Sequence, residues 1–137
     1  MIQGQHVFDP GSKNRLNPRN LARFGSESLF DRVARVVCEA DCLPRKELYE
    51  SWQVARHVHR RFRGQGGRLV ELCAGHGLLS LLLALMDDSL SEVACSDREP
   101  PRSASILAAA MQVRWPKLAR VRYETCALDA FVLQPSV

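Results

Sequence analysis

The chain has 137 residues, 46% of them hydrophobic and 25% charged, the balance of an ordinary folded domain rather than a disordered one. Nineteen basic against fifteen acidic residues leave a formal charge of +4, which requires no polyanionic partner and is compatible with a nucleic-acid substrate. The longest nearly apolar run, Gly77 to Met86, is too short to cross a bilayer. No charged-then-apolar leader opens the sequence, so a soluble, cytoplasmic protein is the expectation.

Residues 1–25 lack periodicity and are rich in Asn, Pro, Arg and Gly, with turn signals at Asp9-Pro10-Gly11 and Asn17-Pro18. They read as an irregular or mobile arm. Residues 26–63 read as a helical pair. Ser28-Leu29-Phe30-Asp31 has the capping-box form, and Leu29, Val33, Val36, Val37 and Ala40 follow at helical spacing, so the first helix is predicted over Ser28 to Ala40. Pro44 suits the first turn of a second helix. Leu48, Trp52, Ala55, His59 and Phe62 share one face of it, and a cationic end from His57 to Arg63 suits its negative C-terminus. Gly64-Gln65-Gly66-Gly67 stops that helix.

The pattern then changes. Arg68 to Leu72 is a short strand candidate, Leu78 to Met86 a helix apolar nearly all round, and Glu92 to Ser96 a second strand. Ser103 to Val113 is a further helix, and Ala119 to Tyr123 a third strand of edge type. Phe131 to Val137 could begin another element. Helical crossovers of this length imply parallel strands joined right-handedly. Residues 68–137 therefore form the α/β part. Five cysteines, an odd number with no C-x-x-C pair, read as reduced thiols. Cys38 and Cys42 are spaced to share a helix face, but without a second ligand pair no metal site is expected.

Parallel α/β sheets bind ligands beyond the carboxyl ends of their strands. The turn after the first strand is Glu71-Leu72-Cys73-Ala74-Gly75-His76-Gly77. Its glycines let the backbone bend sharply and approach a ligand, and a helix opens at once with free N–H groups. This segment resembles motif I of the class I S-adenosylmethionine (SAM) methyltransferases, acid-x-Gly-x-Gly-x-Gly. Glu71 matches the acid, Gly75 and Gly77 the second and third glycines, and Cys73 stands where the first glycine would be. The resemblance covers about Arg68 to Asp129. It implies a Rossmann-like partial methyltransferase fold, with three parallel strands in the order 3-2-1 behind two N-terminal helices.

The resemblance also implies SAM as cofactor, held at Glu71, Cys73, Ala74, Gly75, His76 and Gly77. Glu71 would be tied to the methionine amino group. Asp97, after the second strand, matches the acid that accepts from both ribose hydroxyls. Arg98 would lie near the adenine, and Asp129, in the loop after the third strand, would accept from the adenine amino group. The helices before the first strand would cover the cofactor.

Two other readings compete. Gly75-x-Gly77-x-x-Ser80 is similar to a dinucleotide-binding turn, but a lone version of that motif is weak and Glu71 is an unhelpful neighbour for a pyrophosphate. The third reading is a non-catalytic module that keeps the fold for binding or interaction. Among the remaining residues, His76 reads as an exposed loop side chain, and His57 and His59 as a solvated helix end. Tyr49 is a candidate lid residue, and Trp52 a core residue. A full class I domain has seven strands in the order 3-2-1-4-5-7-6, and its fourth strand carries groups that touch the methyl and the acceptor. An incomplete methyltransferase is therefore expected, with catalytic residues and methyl acceptor unassigned. The first strand, with Leu69, Val70 and Leu72, would be an open apolar edge prone to self-association or to pairing with a partner chain.

Overall fold

The computed structural model describes residues 8–126. In chain order the regular elements are a 3-10 helix (Pro18–Arg23), α1 (Leu29–Ala40), α2 (Arg45–Phe62), β1 (Arg68–Leu72), α3 (Leu78–Met86), β2 (Glu92–Asp97), α4 (Arg102–Arg114), a second 3-10 helix (Pro116–Arg120) and β3 (Val121–Thr125). The chain is α/β, with three parallel strands in one sheet ordered β1-β2-β3. β2 is central, and its Val93, Ala94 and Cys95 are buried. β1 is an edge among the described residues, and its Leu72 is 46% exposed.

α3 is the keystone of the core. Seven of its nine residues are buried, and it packs against all three strands, α2 and α4. Such a helix has no polar face to turn outward, so it can only sit between layers. In-register pairing puts Leu69, Glu71, Val93, Cys95 and Tyr123 on the face toward α3. The opposite face carries Arg68, Glu92, Arg122 and Glu124. The Arg122 guanidinium bridges Glu92 and Glu124, and Arg68 lies 4.0 Å from Glu92.

The N-terminal helices do not form a separate pair. α1 packs chiefly on α4 and α2 on α3, and one apolar cluster runs from Leu16 to Leu118. Residues 8–25 are irregular apart from the 3-10 helix, yet they are docked rather than mobile. Leu16 is fully buried, the Leu16 N–H donates to the Leu43 carbonyl at 2.9 Å, and the Arg45 N–H donates to Asn14 at 2.8 Å. Phe8 is covered by the guanidinium groups of Arg23 and Arg45, 4.4 and 3.5 Å from its ring centre.

Three local expectations need correction. Ser28 does cap α1, accepting from the Asp31 N–H, but the Asp31 carboxylate accepts from the Ser26 N–H and so completes no capping box. Cys42 lies beyond the left-handed Asp41 that ends α1, so it shares no helix face with Cys38. The third strand begins at Val121 because Pro116 sets a 3-10 turn that buries Leu118. Arg120 is held there by the carbonyls of Leu90, Ala84 and Asp87, which removes it from the strand. No helix among the described residues is long and apolar enough to cross a membrane.

Candidate functional site

The strand tips converge on the loop between β1 and α3. Cys73, Gly75 and Gly77 all have positive φ, at 56°, 56° and 79°. These are the three positions that the glycines occupy in the motif Glu71 to Gly77 resembles. Left-handed backbone is strained for any residue with a Cβ, and Cys73, which is exposed, carries that strain. Alternating left-handed residues fold the loop back over the sheet. The Ala74 N–H donates to the Ser96 carbonyl at 2.9 Å and the Gly77 N–H to the Ala74 carbonyl at 3.0 Å.

Gly75 is gripped from two strands. Its N–H donates to Asp97 Oδ2 at 2.8 Å, and its carbonyl accepts from the Tyr123 hydroxyl at 2.5 Å. The Tyr123 ring also closes the space beside Gly77. A Cβ on Gly77 would meet Tyr123 Cε2 at 3.2 Å, whereas one on Gly75 would meet nothing within 4 Å. Burial pushes the Tyr123 hydroxyl up to about 12, so it remains a donor.

The two acids are shifted in opposite directions. Asp97 accepts from Gly75 N–H and, through Oδ1, from Glu99 N–H at 3.0 Å. These bonds hold its carboxyl below the usual range. A carboxylate offers about four acceptor positions, so two remain for a ligand. Glu71 lies on the α3 side, where Oε1 accepts from the Ser80 hydroxyl at 2.7 Å and the Ser80 N–H at 3.3 Å. Burial outweighs those bonds and raises its pKa.

A cleft of about 460 Å³ opens between this loop and α2. Glu47, Glu50, Ser51 and Val54 form its α2 wall, and Glu71 with residues 73–79 forms the other. No lysine or arginine lines it, although Lys46 reaches Glu50 at 3.6 Å on the outer side. The resemblance implied that a helix before the first strand would cover this loop, but it did not single out Glu47, Glu50, Ser51 or Val54. Positions 47, 50, 51 and 54 do recur at helical spacing, but they read as a solvated face until α2 is placed on α3.

No family model, curated protein or solved structure matches the chain.

The expected residues Glu71, Cys73, Ala74, Gly75, His76 and Gly77 all line the cleft, and Asp97 reaches the same loop from β2. Arg98 follows on the exposed tip. Asp129 lies outside the described residues, as does 131–137. His76 is not an exposed loop side chain. It is half-buried, and its Nδ1 shares a hydrogen bond with Ser103 Oγ at the start of α4. Tyr49 is not a lid over the loop. With Trp52 it packs on Phe30, at ring separations of 5.3 and 5.2 Å.

Two outcomes follow from this geometry. Gly75→Ala should lose about 1–2 kcal/mol in urea unfolding, the cost of left-handed backbone alone. Gly77→Ala should lose about 2–5 kcal/mol, because overpacking against Tyr123 adds to it; equal losses would contradict the buttress. Glu71→Gln tests the burial effect. A raised folded-state pKa gives stability that is full below the unfolded value, about 4.3, and is lost as pH rises through the folded value. Ionised Glu71 therefore weakens the fold at neutral pH. Glu71→Gln should raise the melting temperature at pH 7, with the gain fading as pH falls through the carboxylate range. A gain that grew on acidification would contradict it.

Proposed function

We propose that this chain is the cofactor-binding part of a SAM-dependent methyltransferase. The observation that carries the reading is the loop held between two acids, with Glu71 at the end of β1, Asp97 at the end of β2 and the Gly75 N–H bonded to Asp97. The strand order β1-β2-β3, which is 3-2-1 counted from the other edge, supports it. So do the left-handed residues at 73, 75 and 77.

The charge of the cleft separates this reading from a dinucleotide site. A pyrophosphate calls for N–H groups and basic side chains, and Glu47, Glu50 and Glu71 oppose it. The same carboxylates suit the ammonium and sulfonium of SAM. The fit is otherwise reasonable. The first N–H groups of α3 have no partner within the helix, and Leu78 and Leu79 line the cleft. The spare acceptor positions of Asp97 suit a pair of ribose hydroxyls. When bound, SAM supplies the electrophilic methyl group. The chain's own residues position it and exclude water. No general base for an acceptor is assigned. The open β1 edge is consistent with completion of the sheet by further strands, which would bring the acceptor-binding groups.

Calorimetry should find SAM and S-adenosylhomocysteine bound more tightly than NAD. Asp97→Ala should weaken that binding by more than about tenfold, the scale of a charged hydrogen-bond pair. Tighter binding of NAD would overturn the assignment, and unchanged affinity in Asp97→Ala would remove Asp97 from the site.

A further inference from the structure

The C-terminal half of α2 carries a charge distribution that the cofactor site does not use. From Ser51 to Val70 the sequence contains no acidic residue, while Arg56, Arg60, Arg61 and Arg63 fall within eight positions. Removing these four from the nineteen basic residues leaves fifteen, the number of acidic residues in the chain. The whole net charge of +4 is therefore matched by one short stretch. A helix C-terminus accounts for one or two cations by its dipole, not for four with His57 among them.

The structure gathers these residues on one side. Arg56, His57, Arg60, Arg61 and Arg63 are all exposed. At 100° per residue, Arg56, Arg60 and Arg63 form a narrow stripe, with His57 and Arg61 along its flank. Leu48 and Ala55 lie on the buried face of α2, about a quarter-turn round the helix from that stripe. Among the described residues, no carboxylate comes within 4.0 Å of any of the four arginines. Asp87, beside the end of α2, is committed to the Gly64 N–H and to Ser89. Phe62, 54% exposed, lies round the helix on the Leu48 and Ala55 side, where it lines an apolar pocket with Val58 and Leu83.

We infer that this face of α2 binds a nucleic-acid strand through its phosphates. Arginine forks match phosphate geometry, and a cationic track that follows the backbone supplies the electrostatic part of single-strand binding. An anionic membrane is the poorer partner, because the apolar face that an interfacial helix would insert is already buried in the core. The same helix lines the cofactor cleft at Glu47 to Val54, and Glu47 lies about 20 Å along the axis from Arg60. Glu47, Glu50 and Val54 lie round the far side of the helix from Arg56, Arg60 and Arg63, so a strand held on the arginines reaches that cleft by crossing the flank of His57 and Arg61. The identification of the methyl acceptor as nucleic acid rests on the function proposed above; the binding face itself does not.

The test is fluorescence anisotropy with a short labelled single-stranded RNA. Four phosphate contacts predict that affinity falls about 50-fold between 50 and 200 mM salt, and only about 2–3-fold in the triple variant Arg56→Gln/Arg60→Gln/Arg63→Gln. A charge-matched triple variant, Lys13→Gln/Arg19→Gln/Arg114→Gln, should retain the steep dependence. Circular dichroism confirms that both variants fold, as their exposed positions predict. Equal loss in the two variants would reduce the effect to net charge and overturn the face. Absent RNA binding at 50 mM salt would overturn it too, as would equally tight capture by phosphatidylserine vesicles. Calorimetry with SAM on the first triple variant should show unchanged affinity. RNA binding in a chain that never binds SAM would leave the face standing and defeat the cofactor assignment instead.

Discussion

The peptide of Gly75 is held at both ends by neighbouring strands, its N–H by the Asp97 carboxylate and its carbonyl by the Tyr123 hydroxyl. Three consecutive strands thus meet at one residue of one loop. With the His76 bond to Ser103 and the Ala74 N–H on the Ser96 carbonyl, these two bonds and the left-handed backbone around them set the shape of the loop. Fixing Gly75 fixes Gly77, which opens α3 directly beneath the Tyr123 ring. The direction of α3 then follows, and with it the position of Ser80 against Glu71. The polar site and the apolar core share this one anchor.

That arrangement explains why the acids differ in kind. Asp97 stands at a strand tip among N–H donors, which favour its charged form. Glu71 is one layer deeper, where burial disfavours charge and Ser80 only partly offsets it. A cationic ligand in the cleft would restore what burial costs Glu71. The buried thiol of Cys95, pushed up to about 12 by the same desolvation, is neutral core material. It lies 3.8 Å from where a Gly77 Cβ would stand.

Much of this was legible from residues alone, for physical reasons. The apolar α3 could only be a layer between layers. Leu69 to Leu72 and Val93 to Cys95, bounded by glycines and turns, read as short strands, of which only Val93 to Cys95 is buried. The loop residues followed from glycine spacing. What could not be read depended on tertiary placement. Glu47 and Glu50 look like ordinary surface charges until α2 lies on α3. Tyr123 is unremarkable until its pairing opposite Cys95 aims the hydroxyl at Gly75. The start of β3 was misplaced because Arg120 continues an alternating pattern while its guanidinium binds three carbonyls elsewhere. His76 became a link to α4 only when Ser103 arrived beside it.

The cofactor proposed for the loop between Glu71 and Asp97 is the cationic nucleoside SAM. The most direct test of that proposal is nuclear magnetic resonance of the isotopically labelled chain titrated with S-adenosylhomocysteine. The account predicts that the largest amide shifts fall on Gly75, His76 and Gly77, on Leu78 and Leu79 at the start of α3, and on Arg98 and Glu99 beside Asp97. Shifts that cluster away from the strand tips, or none at saturating ligand, would contradict it.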